Sequence, residues 1–127
     1  MSLQVGMRGC AETEVVHENT AAAVGSGAME VFATPSMIAL MEKAALELVQ
    51  PELNPGEATV GTAIAVTHDA ATPLGKTVIA EAVLTEIDRR RLEFEVLARV
   101  GDEIIGKGRH TRFIIDAEKF MKKVSGK

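Results

Sequence analysis

Residues 34–49 read Thr34-Pro35-Ser36-Met37-Ile38-Ala39-Leu40-Met41-Glu42-Lys43-Ala44-Ala45-Leu46-Glu47-Leu48-Val49, and this stretch decides the fold. Thr34 suits a helix N-cap, and Pro35 the first helical position, where a missing N–H costs no hydrogen bond. Pro51 stops the pattern, because the residue before a proline avoids the helical region. The spacing therefore predicts a helix from Thr34 to about Val49. Its apolar residues, Met37, Ile38, Leu40, Met41, Ala44, Ala45, Leu48 and Val49, cover most of its circumference. Such a helix is enclosed rather than laid on a surface.

The sequence after the helix supplies the enclosure. Thr59 to His68 alternates a small row (Gly61, Ala63, Ala65) with a larger one (Val60, Ile64, Val66). Thr77 to Ile87 is rich in strand formers, and Leu92, Phe94, Val96, Ala98 and Val100 alternate with mostly charged residues. Gly101-Asp102 reads as a two-residue hairpin turn into a strand from Ile104 to Ile115. Asp116 can cap a short helix, Ala117 to Val124, with Phe120 and Val124 turned inward. Before the long helix, a strand is expected over Ala11 to Glu18. The Ala- and Gly-rich segment Asn19 to Met29 carries too little bulk to anchor itself and reads as a mobile loop, of the kind that serves as a lid. This order predicts an α+β architecture, a five-stranded antiparallel sheet curled around one central helix. Consecutive strands lack crossover helices, which excludes a doubly wound parallel fold. Gly106 and Gly108 interrupt the last strand and mark a close approach to the helix.

With 127 residues, the chain has the size of one domain, residues 1–127. A net charge of -4 offers nucleic acid no general attraction, and four Phe with no Tyr or Trp build no stacking platform for single strands. One cysteine, Cys10, forms no intrachain disulfide and reads as an incidental thiol. Met1 to Gly9 has no apolar signal core, and no apolar run approaches the ~18 residues of a membrane span. The expectation is a soluble, cytoplasmic protein with neither membrane nor nucleic-acid partners.

Three polar residues draw attention. Glu42 shares a helix face with Ile38, Ala45 and Val49, which sets a carboxylate along an apolar stripe. Burying that charge costs several kcal/mol unless it is paired, roughly, so Glu42 is either functional or at a solvated edge. Lys43 and Glu47, four apart, can pair with each other on the wet side. His68 ends its strand on the parity of Val60, Ile64 and Val66, beside a loop closed by Pro73-Leu74-Gly75. That is a fit place for a proton shuttle, and equally for a structural histidine. His17, His68 and His110 are far apart without ligand-spaced partners, so no metal site is expected. There is no Gly-x-Ser-x-Gly elbow and no P-loop. Arg112 shares the parity of Ile104 and Ile114, opposite to Lys107 and Arg109, and either face could meet phosphates.

The stretch from Val31 to Glu42 resembles the helix-start segment of the fluoroacetyl-CoA thioesterase group of hotdog enzymes. So does Gly61-Thr62-Ala63-Ile64-Ala65-Val66-Thr67-His68, followed by Ala70-Ala71-Thr72-Pro73 and Gly75. The likeness continues through Gly106 to Arg112 and into Glu118-Lys119-Phe120. It implies a hotdog fold and an acyl-CoA thioesterase acting on a short or small acyl group. It places the family's catalytic threonine, glutamate and histidine on Thr34, Glu42 and His68. Its acyl-pocket glycine falls on Gly61, and an arginine linked to CoA binding on Arg112. It also implies a homodimer with sites between the subunits, with a tetramer open as a further step. Coenzyme A would enter as part of the substrate, with no other cofactor. The segment before the helix departs from the pattern: it has Ala28 where the fluoroacetyl-specific enzyme carries aromatic bulk. Two rival readings stay open, a hotdog enoyl-CoA hydratase and a non-catalytic acyl-CoA-binding module.

Overall fold

The expected helix forms as α2, Thr34–Val49, in a computed structural model that describes residues 2–127. Its N-cap is Ala33 rather than Thr34, and no side chain caps the first turn. Pro35 alone sets the start, with its fixed φ and absent N–H. The Thr34 hydroxyl is thereby free for another partner. Met37, Leu40, Met41, Ala44, Ala45 and Val49 are buried, in one core cluster with Phe32, Leu84, Leu92, Phe94 and Ile105.

Five strands surround this helix: β1 (Arg8–Glu14), β2 (Glu57–His68), β3 (Thr77–Asp88), β4 (Arg91–Val100) and β5 (Glu103–Asp116). They pair antiparallel in the order β1-β3-β4-β5-β2. Val100 pairs with Glu103, so Gly101-Asp102 makes the expected two-residue turn. The first strand begins earlier than expected, at Arg8, and ends at Glu14. The C-terminal helix α3 (Ala117–Ser125) is capped by Asp116, whose carboxylate accepts from the Lys119 N–H at 3.0 Å. Val124, expected inward, is 43% exposed, because only the first turn of α3 lies close to the sheet.

The segment expected to be a mobile loop is built instead. Thr20, fully buried, caps a short helix α1 (Ala21–Val24) that ends on Gly25 in the left-handed conformation. Backbone bridges join Thr20 to Phe32 and Val31 to Pro73, and Ala33 N–H donates to the Asn19 carbonyl. Backbone pairing does here what bulky side chains do elsewhere.

A bulge at Thr62 changes the faces of β2. Gly61 pairs with Arg112, and the next pair is Ala63 with Thr111. One extra residue reverses the alternation beyond it. Gly61 therefore shares the inner face with Ile64, Val66 and His68, and the row Gly61, Ala63, Ala65 read from the sequence does not exist as one face. Around Ile105, β5 has a second irregularity: Ile105 is buried at 1% and Ile104 is 47% exposed, so Ile104 does not share the inner face of Arg112 and Ile114.

The two glycines of β5 serve different neighbours. A methyl group on Gly106 would lie 2.5 Å from the Thr67 carbonyl oxygen and 2.7 Å from Met37 Sδ, so both β2 and α2 press on it. One on Gly108 would lie 2.0 Å from the Ala65 carbonyl oxygen. There the close neighbour is β2, not the helix. Gly108→Ala should therefore separate β2 from β5 and destabilise the fold by about 1–3 kcal/mol or more, the range of an overpacked site. A urea unfolding curve checks this, and an unchanged midpoint would mean that the two strands can part freely.

Candidate active site

The candidate residues fall into two clusters, one at each end of the inner face of β2. At the C-terminal end, Thr34 Oγ1 lies 2.7 Å from His68 Nδ1. Pro35 places the helix start against the strand end, and the uncapped first turn leaves the hydroxyl for the imidazole. His68 Nε2 is buried and has no hydrogen-bond partner. Thr34 thus engages one ring nitrogen, and the other has no partner among the described residues. Beside them lies a cavity of about 240 Å³ lined by Ala21, Ser26, Val31, Phe32, Thr34, His68, Asp69, Ala70 and Ala71. Its small-residue walls are Ala21, Ser26, Ala70 and Ala71.

The second cluster forms around Gly61. A methyl group on Gly61 would lie 3.0 Å from Glu42 Oε2, 3.1 Å from His110 Cε1 and 3.3 Å from Arg112 Nη1. A side chain at Gly61 would press on all three groups by a few tenths of an ångström. Glu42 is half-buried, so it is neither sealed in the core nor at a fully solvated edge. Arg112 is 7% exposed and turns inward beneath β2. Its Nε donates to Thr59 Oγ1 at 2.8 Å and its Nη2 to the Thr59 carbonyl at 3.1 Å. Nη1 donates to His110 Nε2 at 3.1 Å. His110, 1% exposed, donates from Nδ1 to the Ala63 carbonyl at 2.8 Å and stacks on Phe94. Burial, opposed by the Glu42 carboxylate, lowers the Arg112 pKa. Lys107 and Arg109, on the other face of β5, border a separate groove of about 830 Å³ on the outside of the sheet that holds none of the candidate residues.

Thr34 and Glu42 are eight residues apart on one helix, or about 12 Å along its axis. Gly61 and His68 are separated by roughly 20 Å of strand. No hydrogen bond among the described residues joins Glu42 to Thr34 or His68. One chain therefore holds the expected residues as two separate halves. The sequence reading passed over His110 except as a failed metal ligand. Its available signal was its parity with Arg112, two residues on, facing the helix. Among the described residues no group of three or more His, Cys, Asp or Glu gathers as for a metal, and no helix is long and apolar enough to cross a membrane.

A five-stranded antiparallel sheet wrapped around one long helix, with its polar groups between that helix and an edge strand, defines the hotdog class of the thioesterase superfamily. Residues 15–118 match the fluoroacetyl-CoA-specific thioesterase (FlK) family, and the chain belongs to it. The fluoroacetyl-CoA thioesterase of Streptantibioticus cattleyicolor is 50% identical over 98 residues, which cover 77% of this chain and 70% of that protein. A solved structure of the fluoroacetyl-CoA thioesterase FlK superposes with a TM-score of 0.93 at 41% identity, covering 100% of this chain and 98% of that one. A thioesterase-superfamily protein of Thermus thermophilus reaches 0.89 at 26% identity, with 98% and 92% covered.

The second cluster has a consequence for stability. Burial is the largest cause lowering the His110 pKa, the Ala63 carbonyl opposes it, and Arg112 adds to it. The unfolded chain's imidazole takes up its proton near the ordinary 6.5, whereas the folded one does so only at lower pH. Stability should therefore fall as pH drops through about 6.5 and level off below the folded value. His17, raised by its hydrogen bond to Glu30, acts in the opposite sense, stabilising at low pH and losing effect as pH rises through its raised value. Urea midpoints of wild type and His110→Gln compared from pH 8 to pH 5 isolate the His110 share, because His17 is common to both. The variant should lose less stability over that interval, and parallel curves would count against a neutral buried imidazole.

Proposed function

We propose that the protein hydrolyses the thioester of a short or small acyl-CoA and works as a homodimer. In this reading each site combines Thr34 and His68 of one subunit with Glu42, Gly61 and Arg112 of the other. The observation that carries it is the division of the five residues between the two ends of β2. That strand is an edge with Gly61, Thr62, Ala63, Ala65 and Thr67 exposed. It bears no charged residue between Ala58 and Thr67, whereas the opposite edge, β1, carries Arg8, Glu12 and Glu14. Natural sheets protect free edges with charge, and β2 lacks that protection. Antiparallel pairing of β2 with its copy, centred near Ile64 and Ala65, would set Gly61 opposite the partner's His68. The two halves would then meet across the strand pair.

The chemistry follows from the groups. Glu42 either attacks the thioester carbonyl, forming a transient anhydride, or takes a proton from an attacking water. Gly61 admits the acyl group close to the carboxylate, and Arg112 borders it with positive charge. Thr34 holds His68 Nδ1, and His68 Nε2 passes the proton that the leaving thiolate of coenzyme A requires. The oxyanion is held by backbone N–H groups of the uncapped first turn of α2, where the helix dipole favours negative charge. These steps use groups of the protein and water, so coenzyme A enters as substrate. The small-residue walls beside His68 suit a small acyl group, and Ala28 offers no aromatic closure to select fluoroacetyl.

Thiol release from a panel of acyl-CoAs, short to long and including fluoroacetyl-CoA, tests the activity. One acyl class should be turned over, with Glu42→Ala and His68→Ala each losing most of it. Binding without thiol release would leave an acyl-CoA-binding module. Gly61→Ala, which crowds Glu42, should lower turnover by between about tenfold and a hundredfold, the scale of a sub-ångström to ~1 Å misplacement. Complementation tests the shared site. Glu42→Ala and His68→Ala subunits, unfolded together and refolded, should regain about a quarter of wild-type activity, since half of the two-fold dimers carry one intact site. No regain would place the whole site within one chain.

A further inference from the structure

We propose that His110 is a positioning residue for this chemistry, holding the Arg112 guanidinium in place beside Glu42 across Gly61. The inference deepens the functional reading above and rests on it. Its basis is a hydrogen-bond pattern with one solution. The Ala63 carbonyl can only accept, so His110 Nδ1, 2.8 Å away, carries the proton. Arg112 Nη1 can only donate, so His110 Nε2, 3.1 Å away, is bare. A neutral Nδ1–H imidazole satisfies both contacts. A protonated ring satisfies only one and sets two cations against each other.

The ring is fixed on its faces as well as its edges. Phe94 of β4 stacks on it with centroids 6.0 Å apart and planes at 29°. Arg112 is then held by three bonds, to Thr59 Oγ1, to the Thr59 carbonyl and to His110. Thr59 fixes the Nε–Nη2 edge, and His110 alone among these fixes Nη1. Nη1 is the nitrogen that lies across the Gly61 gap from Glu42 Oε2. During turnover the carboxylate of Glu42 loses its charge, as anhydride or acid, and regains it. A guanidinium that cannot swing keeps the returning carboxylate on one line of approach.

The charged groups acting on His110 are Arg112 on its own strand, Glu42 from α2 and Glu93 from β4. The first disfavours protonation and the two carboxylates favour it. As acid protonates the ring, Nε2 stops accepting and the Nη1 end of Arg112 loses its partner, while Thr59 keeps the Nε–Nη2 edge. His110 therefore contributes an acid limb to kcat.

Two variants and one spectroscopic measurement test this. His110→Phe keeps a ring on Phe94 but offers Arg112 no acceptor. His110→Gln keeps an acceptor that does not titrate near neutrality. His110→Phe should lower kcat about tenfold to a hundredfold with KM little changed, the usual effect of removing an orienting partner. His110→Gln should restore kcat to within a few-fold of wild type and lose the His110 acid limb. Nitrogen-15 NMR should find the wild-type His110 neutral and protonated on Nδ1 at pH 7. The Arg112 guanidinium N–H signals should be resolved in wild type and His110→Gln, and averaged in His110→Phe. An Nε2–H tautomer, equal kcat in His110→Phe, or a loss that His110→Gln does not rescue would each overturn the proposal. If His110→Phe fails to fold, the wild-type tautomer and the His110→Gln pH profile still decide it. If no acyl-CoA is turned over by wild type, the thioesterase reading fails, and the NMR arm separately shows whether His110 positions Arg112.

Discussion

A guanidinium that is 7% exposed must be satisfied where it lies, and much of the candidate site is arranged to satisfy Arg112. A buried charge without partners costs several kcal/mol, roughly, and no carboxylate among the described residues forms an ion pair with this one. Thr59 supplies two oxygens and His110 a ring nitrogen, all from β2 and β5. Glu42 offers a longer-range counter-charge from the helix, opposing the drop in the Arg112 pKa that burial causes. The charge is thus stabilised by neutral acceptors held on strands, while the one nearby carboxylate remains without a hydrogen bond of its own. A direct Arg112–Glu42 salt bridge would have occupied the carboxylate on which the proposed chemistry relies.

Gly61 makes this separation possible. A side chain there would crowd Glu42, His110 and Arg112 together, and glycine leaves their close approach undisturbed. The bulge at Thr62 adds a second requirement. Without the extra residue, Gly61 and His68, seven positions apart, would face opposite sides of the sheet. With it, both face α2, and the two half-sites share one surface of one strand. The register of β2 on β5 therefore determines whether the polar residues can serve a common substrate.

The sequence disclosed what depends on near neighbours in the chain. Pro35 marks the helix start, Gly101-Asp102 the hairpin and Asp116 the last cap, and each acts within a few residues of itself. Strand alternation was readable up to the point where a bulge intervened, because a bulge is a property of two strands and leaves no fixed mark on either. The order of the Asn19–Met29 segment was hidden for the same reason: a bridge from Thr20 to Phe32, and N–H groups of Ala21 and Ala22 donating to the Val31 and Met29 carbonyls, hold it. Glu42 and His68 were legible as polar residues worth notice and Thr34 only as a helix cap, and the family resemblance named all three. Their division into two clusters was not, since helix rise and strand rise had to be laid on one frame. His110 escaped notice because a single histidine two residues before an arginine has no signature until both are seen to turn inward.

The two edges of the sheet differ in charge and length. At β1, Arg8, Glu12 and Glu14 make pairing with another chain costly, and the edge is short. At β2, a twelve-residue edge presents alanine, threonine and glycine, a surface that favours backbone pairing. A bare edge of that length is an aggregation hazard unless something covers it. The same strand holds one polar cluster at each end, and neither cluster contains a nucleophile or base, a proton carrier and an anion partner together. A copy of the chain placed antiparallel on that edge removes both deficiencies at once. Edge protection and site completion then become one requirement, and the lack of charge on β2 is what each of them demands.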